Sequence, residues 1–95
     1  MVENPEVLIP TIPESIVVHL GPAEESAPNV RVGFIDYIAN VASNEIYPTW
    51  PENALIANMI AQISFALNRY YTEYYRSKGY DFDITSSTRT DQAYD

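Results

Sequence analysis

Residues 15–20, SIVVHL, set Ile16, Val17 and Val18 in a row, and three adjacent β-branched residues predict a strand. A second strand is expected at 30–34, with Val30, Val32 and Phe34 on one face and Arg31 and Gly33 on the other. The intervening GPAEESAPN is a loop by composition, so the two strands can form a hairpin whose register the loop sets only weakly. From Phe34 the spacing becomes helical, with Phe34, Ile38 and Val41 on one side and Ile35 nearby, and Ser43 and Asn44 mark the end of a short helix. Pro48 and Pro51 then push Tyr47 and Trp50 into extended or turn conformations. Pro51 suits a helix start and Glu52 its first turn.

From Pro51 the periodicity runs on through Leu55, Met59, Ile63, Ala66, Tyr70 and Tyr74, widened by Ile56, Ile60, Leu67 and Tyr71. A stripe this broad predicts a helix buried over much of its circumference. Arg76, Lys78 and Gly79 read as its C-terminus, giving a helix over 51–78, roughly 42 Å long. That is long for a chain of 95 residues, and its far end is expected to pack on something else. Beyond it, Phe82 and Ile84 alternate like a strand, and a Ser/Thr run forms a loop. Pro5, Pro10 and Pro13 make residues 1–14 an extended lead-in. The pattern as a whole predicts an α+β fold: a short N-terminal β pair, a short helix, one long central helix and a C-terminal loop or strand.

Composition narrows the function classes. The chain is 46% hydrophobic, carries eight tyrosines and has a net charge of -8. That charge disfavours a nucleic-acid backbone or an anionic membrane surface as partner. There is no cysteine, hence no disulfide, thiolate metal site or cysteine nucleophile. No run reaches the ~18 apolar residues of a membrane span. The N-terminal MVENPEVLIPTIPES lacks the basic and apolar parts of a signal peptide. His19, the single histidine, lies within the first strand and reads as structural or solvent-facing.

Among candidate chemical groups, Glu45 stands out as the only acid between Asp36 and Glu52, at the junction of the two helices. Beside Ile46, Tyr47 and Trp50 it reads either as a partly desolvated general acid or as a solvated glutamate at a helix end. Asp81, Asp83, Asp91 and Asp95 lack the spacing of a calcium loop and read as solvated surface. The tyrosines at 70, 71, 74, 75 and 80 could stack on sugar rings, but their helical spacing reads as packing.

The ordered set IDYIANVASNEIYPTWPENALIANMIAQISFAL followed by YTEYYRSKGYDFDITSSTRTDQAY resembles the stage II sporulation protein D (SpoIID/LytB-like) domain, in particular its version in clostridial spore cortex-lytic enzymes. The shared pattern is an apolar helix ending at a glutamate, an Ala-Leu pair nine residues further on (Ala54-Leu55), and a Thr-rich loop closing on Asp91-Gln92-Ala93-Tyr94. The resemblance covers 15–95, taken as the N-terminal part of the catalytic domain, since the family domain continues past Asp-Gln-x-Tyr.

The resemblance implies a peptidoglycan lytic transglycosylase, cleaving between N-acetylmuramic acid and N-acetylglucosamine with formation of a 1,6-anhydro product. It assigns Glu45 as the acid/base, with Tyr47, Gln92 and Tyr94 as substrate contacts. Implied partners are peptidoglycan glycan strands, with further domains of a longer chain or self-association in addition. The implied location is the spore cortex or cell wall, in sporulation or germination. The family pattern is departed from at the helix-floor arginine and at the zinc-binding positions. Ile63 stands where the sporulation protein has an arginine, and Arg69 lies about 240° away around the helix. Ser86, Thr90 and Asp91 stand near the zinc-binding positions of some members, so no metal and no cofactor are expected. The rival reading is a non-catalytic peptidoglycan-binding or scaffolding module built on the same domain.

Overall fold

The computed structural model describes residues 12–45 and 49–95. Three strands form one sheet: β1 (Ser15–His19), β2 (Asn29–Gly33) and β3 (Ile84–Thr85), in the order β2-β1-β3. β1 and β2 pair antiparallel, Ser15 opposite Gly33 and His19 opposite Asn29. β3 joins the other edge of β1 in parallel, Val18 opposite Ile84. The central place of β1 explains its unbroken apolar run, because a strand covered on both faces has no solvent side to mark with polar residues. Ile16 and Val18 face one core, and Val17 and His19 are buried on the other side.

The first core lies under helix α1 (Phe34–Glu45), which buries Phe34, Tyr37, Ile38, Val41 and Ala42. That spacing is one continuous helical face. It packs on Ile16, Val18 and Ile84 together with Ala66 of helix α2 (Glu52–Tyr71). Each fully buried aliphatic side chain here contributes roughly 1.5–3 kcal/mol. Pro51 heads α2, its carbonyl accepting from the N–H groups of Ala54 and Leu55.

Two expectations about the long helix are corrected. It ends at Tyr71 rather than Lys78, so 20 residues are helical, about 30 Å. The stop is made by Thr72, whose hydroxyl and N–H both return to the Asn68 carbonyl, and by Glu73 in the left-handed region at φ 52°. The chain turns there so that Tyr75 and Phe82 can cover Val17 on the second face of the sheet. Arg76–Lys78 form a separate 3₁₀ turn, and it is this turn that Gly79 caps at φ 96°. Nor is α2 buried over most of its circumference. Only Gln62 and Ala66 are fully covered, while Ile56 and Ile60 are 51% and 58% exposed, forming an aliphatic surface with Leu55 and Met59.

The acids expected at the surface also divide. Asp81 and Asp95 are exposed, but Asp83 and Asp91 are not. Asp83 is buried: one carboxylate oxygen accepts from the Val17 N–H and the other from Arg76 Nε at 2.7 Å. His19 is structural, as its strand position suggests. It stacks on Phe82 with ring centroids 4.3 Å apart, and its Nε2 donates to the Glu25 carbonyl.

Candidate functional site

Glu45 is the last residue of α1 and is half-buried. Its Oε2 accepts from the backbone N–H of Ala93 at 2.8 Å, and its Oε1 faces Gln62 Nε2 at 3.3 Å. The Ala93 contact exists because α1 holds the C-terminal segment through a ladder of side-chain amides. Asn44 donates to the Ala93 carbonyl, and Asn40 both donates to the Asp95 carbonyl and accepts from the Asp95 N–H. The acid is therefore fixed from two directions, by a backbone donor on one oxygen and a side-chain donor on the other.

The carboxyl opens on a shallow cleft of about 250 Å³ between α2 and the C-terminal segment. Asn58, Ala61, Gln62 and Phe65 of α2 form one wall, and Asp91 and Gln92 the other. Gln92 is buried, its Oε1 accepting from the Tyr37 hydroxyl at 3.0 Å and its Nε2 donating to the Gln62 carbonyl at 2.9 Å. This one side chain ties α1 to α2 beneath the cleft. Tyr94 is half-buried and stacks on Tyr37, with centroids 5.4 Å apart. Burial, reinforced by the nearby Asp91 and Glu45 charges, pushes the Tyr37 phenol well above its ordinary range and keeps it a neutral donor. The structure thus places Glu45 and Gln92 on one cleft, whereas Tyr94 packs on Tyr37 against the core and does not line that cleft, and Tyr47 lies outside the described residues.

At the far end of the cleft Asp91 has a side chain with 0% exposure. Its Oδ1 accepts from Arg69 Nε at 2.8 Å, and its Oδ2 accepts from the Tyr75 hydroxyl and from the N–H and hydroxyl of Thr85. The Arg69 guanidinium lies over the Phe65 and Tyr74 rings, 4.6 and 3.9 Å from their centroids. Ile63 instead lines an aliphatic hollow with Phe34, Ile35, Ile38 and Met59 and does not line the cleft at Glu45. A larger depression of about 430 Å³ lies by Ser15, Arg31, Tyr70 and Arg76. Its guanidiniums are already engaged, Arg76 with Asp83 and Arg31 with Ser15, and the acid held there from two sides, Asp83, is paired with a cation at 2.7 Å, whereas Glu45 is held by neutral amides.

Sequence reasoning missed Asn58, Gln62, Phe65 and Arg69 as a set. Their spacing of four, three and four residues is one face of a helix, and polar side chains recurring on that face of an otherwise apolar segment were the available signal.

Fold and cleft together define a small α+β domain with one carboxylic acid presented at a helix end to an amide-lined cleft. The chain belongs to the Stage II sporulation protein family (SpoIID), whose model matches residues 25–95, which gives it a sporulation and cell-wall context. No curated protein and no solved structure matches it. β1 precedes the matched stretch yet pairs with both other strands, so the structural unit begins before residue 25. Among the described residues no helix is long and apolar enough to cross a membrane, and no group of three or more acids or histidines is arranged to hold a metal ion.

Proposed function

We propose that this chain carries the acid/base of a peptidoglycan lytic transglycosylase, with Glu45 in that role. The observation supporting it most is the clamping of Glu45 at the cleft. The Ala93 N–H holds Oε2 at 2.8 Å, so a proton on the carboxyl belongs on Oε1, the oxygen with the longer contact, 3.3 Å, to Gln62. From Oε1 the proton passes to the glycosidic oxygen as the bond to C1 of the muramyl sugar breaks, and the bonding pair leaves with the glucosaminyl O4. The carboxylate then takes the proton of the muramyl C6 hydroxyl as O6 closes onto C1. The 1,6-anhydro ring forms, the acid is regenerated and no water is consumed. One carboxyl group serves both steps, whereas ordinary glycosidases need two. Phe65 and Ala61 offer an apolar surface to a sugar C–H face. Tyr47, Gln92 and Tyr94 are assigned as substrate contacts on the strength of the family resemblance. The spore cortex is the proposed glycan, on the strength of the cortex-lytic resemblance.

One observation favours a second reading, a non-catalytic peptidoglycan-binding module. Ile63 lies off the cleft on an aliphatic face, so no cation comes from that position. The two readings separate on muropeptide release from purified sacculi. The catalytic reading expects anhydro-muramyl products from the chain, reduced by roughly 10²–10⁴-fold in Glu45→Gln. Release that survives Glu45→Gln unchanged refutes the assignment of the acid. Sacculus binding with no release from either protein establishes the module.

A further inference from the structure

Gln62 is 5% exposed, and its Oε1 is a buried acceptor with no hydrogen-bond partner. A buried orphan of this kind is rare and destabilising by roughly 1–3 kcal/mol. The other end of the same amide is used twice: Nε2 donates to Glu45 Oε1 at 3.3 Å and to Asn58 Oδ1 at 2.6 Å. Asn58 and Gln62 are one turn apart on α2, so the three side chains form a short line running from the acid along the cleft wall.

This orientation suits a carboxylate, which can only accept. It does not suit the protonated acid, whose O–H on Oε1 points at an N–H. Turning the Gln62 amide by half a revolution puts its Oε1 opposite Glu45 and Asn58. The orphaned acceptor then receives the carboxyl O–H, and the Asn58 amide turns in step so that its Nδ2 donates. The amide nitrogen moves into the place the oxygen left and loses its partners. Each orientation leaves one end of Gln62 unpaired, so what distinguishes them is the partner at Glu45: an acceptor-only carboxylate favours Nε2 there, and a carboxyl O–H favours Oε1.

We infer that Gln62, with Asn58 behind it, is the positioning residue of Glu45: a pair of amides whose hydrogen-bond direction reverses with the protonation state of the acid. The inference rests on the reading of Glu45 as acid/base for its purpose, though not for its geometry. In the acid form Gln62 Oε1 holds the O–H in the cleft until a better acceptor displaces it. In the carboxylate form Gln62 Nε2 steadies Oε1 while it waits for the next proton. Among the described residues, the charged and titratable groups linked to Glu45 are Tyr37 on its own helix and Asp91 on the cleft, with Arg69 behind Asp91 and Tyr94 behind Tyr37. Asp91 is tied to Arg69 and Tyr37 to Gln92.

The test is a pH titration of the isotope-labelled chain by NMR, following the Glu45 carboxyl carbon and the side-chain amide groups of Gln62 and Asn58. The expected result is that both amides shift with the midpoint of the Glu45 carboxyl, and that neither shifts at that midpoint in Glu45→Gln. In Gln62→Met, which keeps the length of the side chain, the Asn58 amide should stop following Glu45. Amide signals that stay fixed through the Glu45 titration, or that move equally in Glu45→Gln, overturn the inference. Failure of the catalytic reading looks different: the amides follow Glu45 while sacculi yield no anhydro product.

Discussion

Replacing Asp91 by Asn tests whether the C-terminal segment is held by a buried charge. Donors from Tyr75 and from the backbone and side chain of Thr85 converge on Oδ2, with the Thr90 hydroxyl at a longer 3.5 Å, so the asparagine oxygen takes that place. Its NH₂ group is then left facing Arg69 Nε–H, donor against donor. Removing one partner of a buried ion pair typically destabilises by about 3–5 kcal/mol. Arg69 is 16% exposed and keeps the Thr90 carbonyl at 3.0 Å and the faces of Phe65 and Tyr74, which lowers the expected loss to about 2–3 kcal/mol. That is a large part of the margin of a small domain, about 5–15 kcal/mol. Urea unfolding at neutral pH, followed by far-UV circular dichroism, measures it. A double-mutant cycle with Arg69→Met should return a coupling above about 1 kcal/mol. A loss below about 0.5 kcal/mol with no coupling to Arg69 would refute the argument. Because Asp91 lies two residues before Ala93, the same substitution should also weaken the grip of the Ala93 N–H on Glu45, which the Glu45 carboxyl signal in NMR would report.

The Tyr37 phenol is held up in the folded state first by burial, so its stabilising effect is complete below the ordinary tyrosine value of about 10 and is lost as pH rises through that value and beyond. Tyr75 adds to the same alkaline decline, again mainly through burial. Tyr37→Phe should therefore be less stable at neutral pH by roughly 1–3 kcal/mol, because Gln92 Oε1 loses its donor, yet show a shallower loss between about pH 9 and 11; parallel curves for the two proteins would contradict this. Gly79→Ala should destabilise by about 1–2 kcal/mol purely through backbone strain at φ 96°, since nothing lies within 4 Å of the added methyl group; an unchanged urea midpoint would show that the 3₁₀ turn relaxes.

Much of the fold can be read along the chain because local pattern and tertiary placement agree. β1 and α1 appear from residue order alone: an unbroken β-branched run becomes the central strand, and Phe34, Ile38 and Val41 become one buried face, to which the structure adds Tyr37. The end of α2 could not be read in that way. Its apolar period continues through Tyr74, and the stop depends on the Thr72 return bonds and the left-handed Glu73, made where the chain must turn to cover the second face of the sheet. Burial of Asp83 and Asp91 was equally hidden, because their partners Val17, Arg69 and Thr85 meet them only once the sheet is assembled. Of the candidate site, Glu45 was visible as an isolated acid at a helix junction and through its spacing to Ala54-Leu55. The amides that clamp it come from α2 and from the C-terminal segment, and only the packing of α1 against both brings them together.

The central claim is that Glu45 serves one reaction as acid and then as base, without water. Digestion of purified peptidoglycan in heavy-oxygen water, with mass spectrometry of the released muropeptides, tests it most directly. The account predicts anhydro-muramyl ends that carry no heavy oxygen and that disappear in Glu45→Gln. Reducing ends that incorporate heavy oxygen, or anhydro ends released equally by Glu45→Gln, would contradict it.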